Sequence, residues 1–344
     1  MANVPDRSDF DRRSVLKATG ALGIAGFAGC LGNGDDDVAD DTADDTDDTD
    51  DTADDDERAD VIRWHAGGTG GTYYPLSGEL ETIIEDVTNY DVQVSSTGAS
   101  VENVGSLETG DADIALIQND IAYFAYNGVA LDAFEGNPVE SLRGMASLYP
   151  ETIHIITHPE AGVDTLEDLD GQRVNTGDLG SGTQVNALQI LESVTGLTTD
   201  DFDEVNTDFA QAADQIRDQD IEAAFIVGGW PVGAVEELAT TTDIELIDLD
   251  ADAREAAMAD AEWFAEDTIP GGTYDGVDED TDTVSVQAMM ATREDFDADV
   301  VEEVTAAIFD NADRLTIKAD FINVDTAQDG MPIPLHEGAE NYFG

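Results

Sequence analysis

The sequence predicts an α/β protein with two lobes, each an open and mainly parallel sheet flanked by helices, joined by hinge segments. Three observations lead to this prediction. Strand and helix patterns follow the order β-α-β-α-β after residue 60, the same order recurs after Leu166, and about 284 residues are available from Val61 onward. Alternating order favours parallel sheets, and this length suits two lobes around a cleft.

The first lobe is predicted to contain three strands, over Val61–His65, Val92–Ser96 and Ile114–Gln118. Apolar residues recur with helical spacing over Leu76–Val87, which predicts the first helix. Ser100 is predicted to cap a second helix, which stops at Gly110. These elements alternate as a parallel sheet requires.

The second lobe repeats the pattern without repeating the residues. Its predicted strands cover Arg173–Thr176, Glu204–Val205 and Ile221–Val227. Its predicted helices cover Thr183–Thr195 and the segment with Ala210, Ala213 and Ile216. The candidate hinges are Ala146–Thr157 and Val284–Thr292, and a last helix over Asp299–Ala312 returns to the first lobe. We therefore assign residues 61–155 and 292–344 to the first lobe and 156–291 to the second.

Three turns at the carboxyl ends of predicted strands are rich in glycine and hydroxyl residues: GGTGGTYYP (67–75), SSTGAS (95–100) and TGDLGSGT (176–183). Open parallel sheets bind ligands at this edge, where helix N-termini present free N–H groups. Such a site suits a carboxylate and can hold one without an arginine. The alternative is that each turn is only a tight connection with a helix cap. Tyr73, Tyr74 and Trp230 are either pocket walls or core aromatics.

The charge is extreme, with 79 acidic residues against 13 basic ones and a formal charge of -66. Self-repulsion of this size destabilises a compact chain unless concentrated salt screens it, and at about 1 M salt the Debye length is roughly 3 Å. The composition therefore indicates a halophile. An acidic surface for one particular partner is the alternative. Nucleic acid and anionic membrane surfaces are excluded as partners.

The first 60 residues predict export and attachment. Arg12-Arg13 and a short Gly-rich apolar stretch are typical of a twin-arginine signal, and the tetrad that ends at Cys30 resembles a lipobox. We interpret residues 1–30 as a cleaved signal and Cys30 as the lipid-carrying residue, which would hold the protein on the outer face of the cell membrane. Residues 31–60 are almost wholly Asp, Thr, Ala and Gly, which predicts a disordered acidic tether. Calcium binding is the alternative, but regular loop spacing is missing.

Catalytic and metal signatures are missing from the sequence. No nucleotide-binding fingerprint and no nucleophile elbow occur, because Gly180-Ser181-Gly182-Thr183 has the wrong spacing. His154 and His158 stand four residues apart in a predicted strand, whereas a zinc pair wants that spacing on a helix. We therefore expect no metal, no cofactor and no catalysed reaction.

Seven segments in series carry a resemblance to a known family: GGTGGTYYPLSGEL, STGASVENV, LETGDADIALIQND, SLYPETIHIITH, LEDLDGQRVNTGDLGSGT, GGWP and IPLHEGAENYF. Together they resemble the TAXI family, the solute receptors of tripartite ATP-independent periplasmic (TRAP) transporters. The resemblance covers nearly all of residues 61–344. It implies a type II periplasmic-binding-protein fold that captures a small carboxylate, such as glutamate, glutamine or a dicarboxylate, and delivers it to a membrane permease.

Carried over position by position, the resemblance implies eleven ligand-binding residues: Thr72, Tyr73, Thr97, Ser100, Asn103, Gln118, Ser181, Gly182, Thr183, Gly229 and Trp230. Ala99 departs from the family pattern, which commonly has a glycine there. Arg143 is either a counter-charge for the ligand or part of a salt bridge at the hinge. Two other functions stay open: an exported two-lobed α/β enzyme, such as a hydrolase or transferase, and a ligand-sensing subunit of a signalling system.

Overall fold

The computed structural model describes residues 61–344, with the side chain of Asp260 excepted. The predicted twin-arginine signal, the lipobox at Cys30 and the acidic tether lie outside the described residues. None of the helices within residues 61–344 has the length and apolarity that crossing a bilayer requires.

Ten strands join into one sheet in this part of the chain. They are β1 (Val61–His65), β2 (Asp91–Ser95), β3 (Ile114–Gln118), β4 (Leu142–Thr157), β5 (Arg173–Asn175), β6 (Asp203–Val205), β7 (Ala223–Gly228), β8 (Glu245–Leu246), β9 (Ala265–Ile269) and β10 (Thr281–Arg293). Their order is β2-β1-β3-β10-β4-β7-β5-β6, with β8 beside β4 and β9 beside β10.

Helices flank the sheet in both halves. They are α1 (Tyr73–Val87), α2 (Ser100–Thr109), α3 (Asn119–Asn127), α4 (Gly182–Thr195), α5 (Phe209–Arg217), α6 (Gly233–Ala239), α7 (Ala251–Asp260), α8 (Ala298–Phe309) and α9 (Glu337–Phe343). We call β1–β3 with α1–α3, α8 and α9 the first half, and β5–β7 with α4–α7 the second half.

Strand direction divides the sheet into these halves. β1 pairs in parallel with β2 and β3, and β5 pairs in parallel with β6 and β7. The long strands β4 and β10 run antiparallel to each other and join the two parallel sets. The predicted open parallel sheets are confirmed, and both predicted hinge segments fall within these two joining strands. The sequence pattern did not reveal that the hinges complete one continuous sheet.

Apolar residues explain the layering of the first half. On β1, Ile62 and Trp64 are buried while their neighbours are more exposed, as one covered face of a strand requires. On α1, the buried face includes Leu76, Leu80 and Ile84. The Trp64 indole N–H donates to Ser77 Oγ of that helix at 2.9 Å, so the polar atom of this buried ring is satisfied.

The elements β8, β9, α6, α7 and α9 were not predicted from the sequence, and two further differences concern α2 and α3. Ala99, and not Ser100, occupies the cap position of α2, with φ 69° and ψ −141° and no side-chain cap. The Ser100 hydroxyl instead accepts the backbone N–H of Gln118 at 3.1 Å. Helix α3 was not predicted, because its residues directly continue the buried run of β3 without an intervening turn.

Candidate ligand-binding site

A cavity of about 600 Å³ lies between the two halves, at the carboxyl ends of the parallel strands. All three Gly-rich turns of the sequence reach it. The first wall consists of Gly67–Tyr73, Ser96–Ser100, Glu102 and Gln118. The second wall consists of Asp178, Leu179, Ser181, Gly182, Thr183, Asn206, Asp208, Phe209, Ala210 and Val227, and Glu151 of β4 lies between the walls.

Eight of the eleven predicted ligand-binding residues line this cavity: Thr72, Tyr73, Thr97, Ser100, Gln118, Ser181, Gly182 and Thr183. The other three, Asn103, Gly229 and Trp230, lie outside its lining. Tyr74 packs against the core of the first half and Trp230 against that of the second. Contact with a ligand stays a prediction for all eleven residues.

Asn103 lies behind the first wall and holds it together. Its side-chain amide donates to the carbonyls of Ala66 at 2.7 Å and Leu116 at 2.8 Å, and its Oδ1 accepts the Thr97 hydroxyl at 2.7 Å. The residue is fully buried. One side chain therefore fixes the ends of β1 and β3 and the turn after β2, and it has no donor left for a ligand.

The hydroxyl groups of the cavity divide into committed and available donors. Thr72 donates to the Gly229 carbonyl at 3.1 Å and Thr97 to Asn103, so their protons are already used. Ser100 and Ser181 each accept a backbone N–H, which leaves the hydroxyl proton free to donate. The Thr183 hydroxyl has no hydrogen bond among the described residues. Ser100, Ser181 and Thr183 are therefore the hydroxyl donors that a ligand can use.

The turn Gly229-Trp230 lies outside the cavity lining and contacts Lys318, in the segment after α8. The Trp230 carbonyl accepts the Lys318 ammonium, which also lies 4.9 Å from the centre of the Trp230 ring and 5.9 Å from that of Tyr149. A Cβ atom at Gly229 would lie 2.5 Å from Lys318 Cε and 2.8 Å from the Tyr149 ring. Glycine is therefore required there by close packing, and no ligand is needed to explain it.

The two halves touch each other on both sides of the cavity. On one side the Ala234 N–H donates to the Gly70 carbonyl at 3.0 Å. On the other side the Asn186 amide donates to Asp120 Oδ2 at 2.7 Å, and both residues are buried. Trp263 of the second half packs edge-on against Phe124 of the first, with ring centres 4.7 Å apart. The structure therefore shows the halves closed on each other.

Four helices begin at the cavity, and three of them leave their N-termini open to an anion. No side chain caps α1 or α2, and the neutral hydroxyl of Ser181 caps α4. Asp208 caps α5 by accepting the Gln211 N–H at 2.8 Å, so its charge offsets the dipole of that helix. Attraction for a carboxylate therefore comes chiefly from α1 and α4, because Glu102 in the first turn of α2 offsets part of the dipole of that helix.

The lining contains no lysine or arginine. All seven arginines within residues 61–344 form ion pairs: Arg63, Arg143, Arg173, Arg217, Arg254, Arg293 and Arg314. Arg143 pairs with Glu294 at 2.7 Å. Of the two alternatives predicted for Arg143, this contact corresponds to the salt bridge and not to a counter-charge for the ligand. Lys318, the one lysine in this part of the chain, has its pKa lowered to about 8, chiefly by burial.

Carboxyl groups form the part of the site that the sequence did not predict. Burial raises the pKa of Glu151 to about 8, and polar contacts with Tyr73, Tyr149 and Gln118 oppose the rise. Burial also raises the pKa of Asp178, and the nearby charges of Asp208 and Glu102 add to the effect. With 79 acidic residues in the chain, nothing in the sequence singles these out. Asp208 and Phe209 could have been found, because they follow the end of a predicted strand.

The histidine spacing noted in the sequence has a structural explanation. His154 is buried on β4, where Nδ1 lies 3.0 Å from the Thr152 carbonyl and Nε2 lies 2.9 Å from the Tyr274 hydroxyl. The hydroxyl of Tyr274 also accepts the Val232 N–H at 2.9 Å. Burial lowers the pKa of His154 to about 4, so the ring is neutral at pH 7. Among the described residues no cluster of His, Cys, Asp and Glu has the arrangement of a metal site.

Comparison with known proteins gives the family. Residues 65–344 match the NMT1-like family, and the chain therefore belongs to it. PhnD1 from Prochlorococcus marinus (MIT 9301), solved in complex with methylphosphonate, is similar at 9% identity and a TM-score of 0.51, over 77% of this chain and 89% of that one. A protein from Bordetella bronchiseptica RB50 is similar at 14% identity and a TM-score of 0.50, over 83% and 82%.

At these identities the likeness shows a shared fold. The predicted fold of type II periplasmic binding proteins, with a mixed sheet flanked by helices, is confirmed by it. The narrower assignment to the TAXI family stays a prediction.

Proposed function

We propose that this member of the NMT1-like family is an extracytoplasmic solute receptor of the TAXI type. It binds a small carboxylate, such as glutamate, glutamine or a dicarboxylate, in the cavity between its halves and passes it to a TRAP-type membrane permease. The observation that carries this proposal is the cavity itself, which both halves line with free hydroxyl donors and open helix N-termini. No reaction is catalysed in this function.

Ligand capture follows from the division of the cavity between two halves. We infer that the halves are lobes that move about β4 and β10, with the predicted boundaries near residues 155 and 291. A ligand held by Ser100 and the N-terminus of α2 meets Ser181, Thr183 and the N-terminus of α4 only when the lobes close. Because the closed state offers more contacts, the ligand shifts the equilibrium toward it.

Attachment to the membrane completes the proposal. Lipid on Cys30, after twin-arginine export, would hold the receptor at the outer face of the cell membrane within reach of its permease. Replacing Cys30 with serine should release the protein from the membrane and leave the affinity for solute unchanged, which fractionation and a binding titration would check. A changed affinity would show that residue 30 does more than anchor.

The ligand class is tested by titrating the purified protein, in concentrated salt, with glutamate, glutamine, 2-oxoglutarate and succinate. Tryptophan fluorescence is a suitable signal, because Trp263 lies where the halves meet. We expect a saturable change with at least one of the acids. Methylphosphonate is a useful comparison, because an anion of another class should bind more weakly if the site is built for a carboxylate. No response to any carboxylate would contradict the proposed ligand class.

A further inference from the structure

Glu151 lies in the cavity at the point where the two halves join. Its strand, β4, passes there from one half to the other: Glu151 stands opposite Val286 of β10, and the next residue, Thr152, stands opposite Gly228 of β7. The residue is only 3% exposed, yet it lines the cavity. Its carboxyl group is therefore buried at the junction of the two walls, facing the space that a ligand would fill.

Tyr73 and Gln118 lie close enough to Glu151 to affect its pKa, yet by the distances and angles of an ordinary hydrogen bond each has one polar atom without a partner among the described residues. These atoms are the hydroxyl of Tyr73 and Oε1 of Gln118, and both side chains are buried and line the same cavity. Buried polar atoms are nearly always satisfied in folded proteins. A donor and an acceptor left open in one enclosed space indicate that a polar ligand group completes them.

Burial is the largest cause that favours the neutral form of Glu151. Asp120 of α3 is a nearby carboxylate, and burial outweighs the polar contacts of Tyr73, Tyr149 and Gln118. Lys318, in the segment after α8, is a neighbour of opposite charge, and Asp267 of β9 acts on Lys318 in turn. Tyr149 donates its hydroxyl to Glu151 Oε1 at 3.2 Å, which leaves the second oxygen for another partner. With its pKa raised to about 8, Glu151 keeps its proton at neutral pH.

We propose that Glu151 determines specificity by donating a hydrogen bond, as a carboxylic acid, to a carboxylate of the ligand. This inference rests on the proposed function, since it names the partner of the ligand within the same cavity. A carboxylate beside a protonated carboxyl group shares one proton with it, whereas two ionised carboxylates would repel. The cavity thereby binds an acid without a lysine or arginine in its wall.

The consequence is proton linkage. Where Glu151 is ionised in the free protein, ligand binding must take up one proton, and affinity then falls about tenfold for each unit of pH. Below its pKa of about 8 the proton is already present, so affinity is flat there. A ligand that placed an ammonium group at Glu151 would behave in the opposite way, with affinity rising with pH and proton release.

The experiment is isothermal titration calorimetry of the full-length protein with 2-oxoglutarate and succinate, from about pH 6.5 to 9.5, in concentrated salt. Neither acid titrates in this range, and two buffers with different ionisation enthalpies give the number of protons taken up. The variants are Glu151→Gln, whose amide donates permanently, and Lys318→Arg, which keeps its charge throughout the range.

We expect wild-type affinity to fall about tenfold per unit above pH 8, with nearly one proton taken up at the alkaline end. Glu151→Gln should lose the slope and the proton uptake, and Lys318→Arg should keep both. Flat wild-type affinity across the range, or a slope that Lys318→Arg removes, would overturn the inference and leave the proposed function standing. Absence of binding by either acid and by glutamate at every pH would overturn the proposed function, and the inference with it.

Discussion

The two walls of the cavity are built differently. In the first wall, Asn103 ties together the ends of two strands and a turn and accepts the Thr97 hydroxyl, whereas the Thr72 hydroxyl donates to the Gly229 carbonyl of the second half. In the second wall, the Leu179 side chain is 80% exposed and the Asp178 carboxylate has no hydrogen bond among the described residues. The first wall is held by a fully buried side chain, whereas the second wall is held by the partly buried Asn206 and includes an exposed segment at residues 179–180.

This difference suggests that the two walls act at different stages of ligand binding. A wall held by a buried side chain offers its donors without an ordering cost, so we infer that the ligand meets the first wall first. The second wall contributes Ser181 and Thr183 at the start of α4, which become useful when the halves close. The first wall and Glu151 would then largely determine which ligand binds. Closure of the second wall would determine the affinity.

The largest effect on stability should come from removing the Asn103 side chain, which holds the first wall together. Asn103→Ala leaves the buried carbonyls of Ala66 and Leu116 without their donor, and an unsatisfied buried group costs about 1–3 kcal/mol. We expect the free energy of unfolding to fall by about 4 kcal/mol. Chemical denaturation at constant salt measures it.

The matched variant is Asn206→Ala in the second wall. Its amide donates to the Thr176 hydroxyl at 3.0 Å and the Gly177 carbonyl at 3.1 Å, but this residue is only partly buried. Because water can replace these hydrogen bonds, we expect the free energy of unfolding to fall by only about 1 kcal/mol. Equal losses in the two variants would remove the difference between the walls.

The next effect concerns what holds the walls together, at Asp120 and Asn186. Burial raises the pKa of Asp120 from 3.8 to about 6, so the folded state binds this proton more tightly than the unfolded chain does. The free energy of unfolding therefore falls as the pH rises from about 4 to 6. Above pH 6 it stays about 3 kcal/mol below its value at low pH. Asp120→Asn should recover that amount at pH 7 and nothing near pH 4.

The control is Asp132→Asn, which makes the same change of charge at an exposed position. It should leave the unfolding free energy nearly unchanged at both pH values, because a single exposed charge has little effect in concentrated salt. If the two variants gained equally at pH 7, relief of general repulsion would explain the result, and the contact between the halves would not.

The smallest effect should come from the backbone of the first wall. Ala99 has φ 69° and ψ −141°, a conformation that strains any residue with a Cβ atom. Ala99→Gly should therefore raise the free energy of unfolding by about 1 kcal/mol, net of the added freedom of the unfolded chain. Ala306→Gly, inside α8, should change it by a similar amount in the opposite direction. A loss in both variants would show that the turn at residue 99 is not strained.

The fold could be predicted because its evidence is local. Apolar runs such as Ile114–Gln118 and stop signals such as Gly110 mark strands and helix ends directly in the sequence. The continuity of the sheet could not be predicted in the same way. β4 and β10 pair over more than 130 residues of intervening chain, for example at Thr152 and Ser285, and no short-range pattern encodes that pairing.

The site could be predicted only in part, for a similar reason. Hydroxyl and glycine residues after strands pointed to the cavity, because parallel strands bring their carboxyl ends to one edge. Asn103 and Trp230 do not line the cavity, because their side chains are occupied by neighbouring loops and by the core. Glu151 was missed because its importance comes from burial, which sequence does not show for one acid among many.

The central claim is that a carboxylate lies between the walls and is held by hydroxyls of both. Calorimetric titration of the carboxylate that binds the wild type, into Ser100→Ala and Thr183→Ala, tests it most directly. Loss of a hydrogen bond to a charged group costs about 1.5–3 kcal/mol, so each variant should bind about ten- to a hundredfold more weakly. The controls Ser106→Ala and Ser193→Ala lie outside the cavity lining on the same helices, α2 and α4, and should bind as the wild type does. Wild-type affinity in both Ser100→Ala and Thr183→Ala would contradict the account.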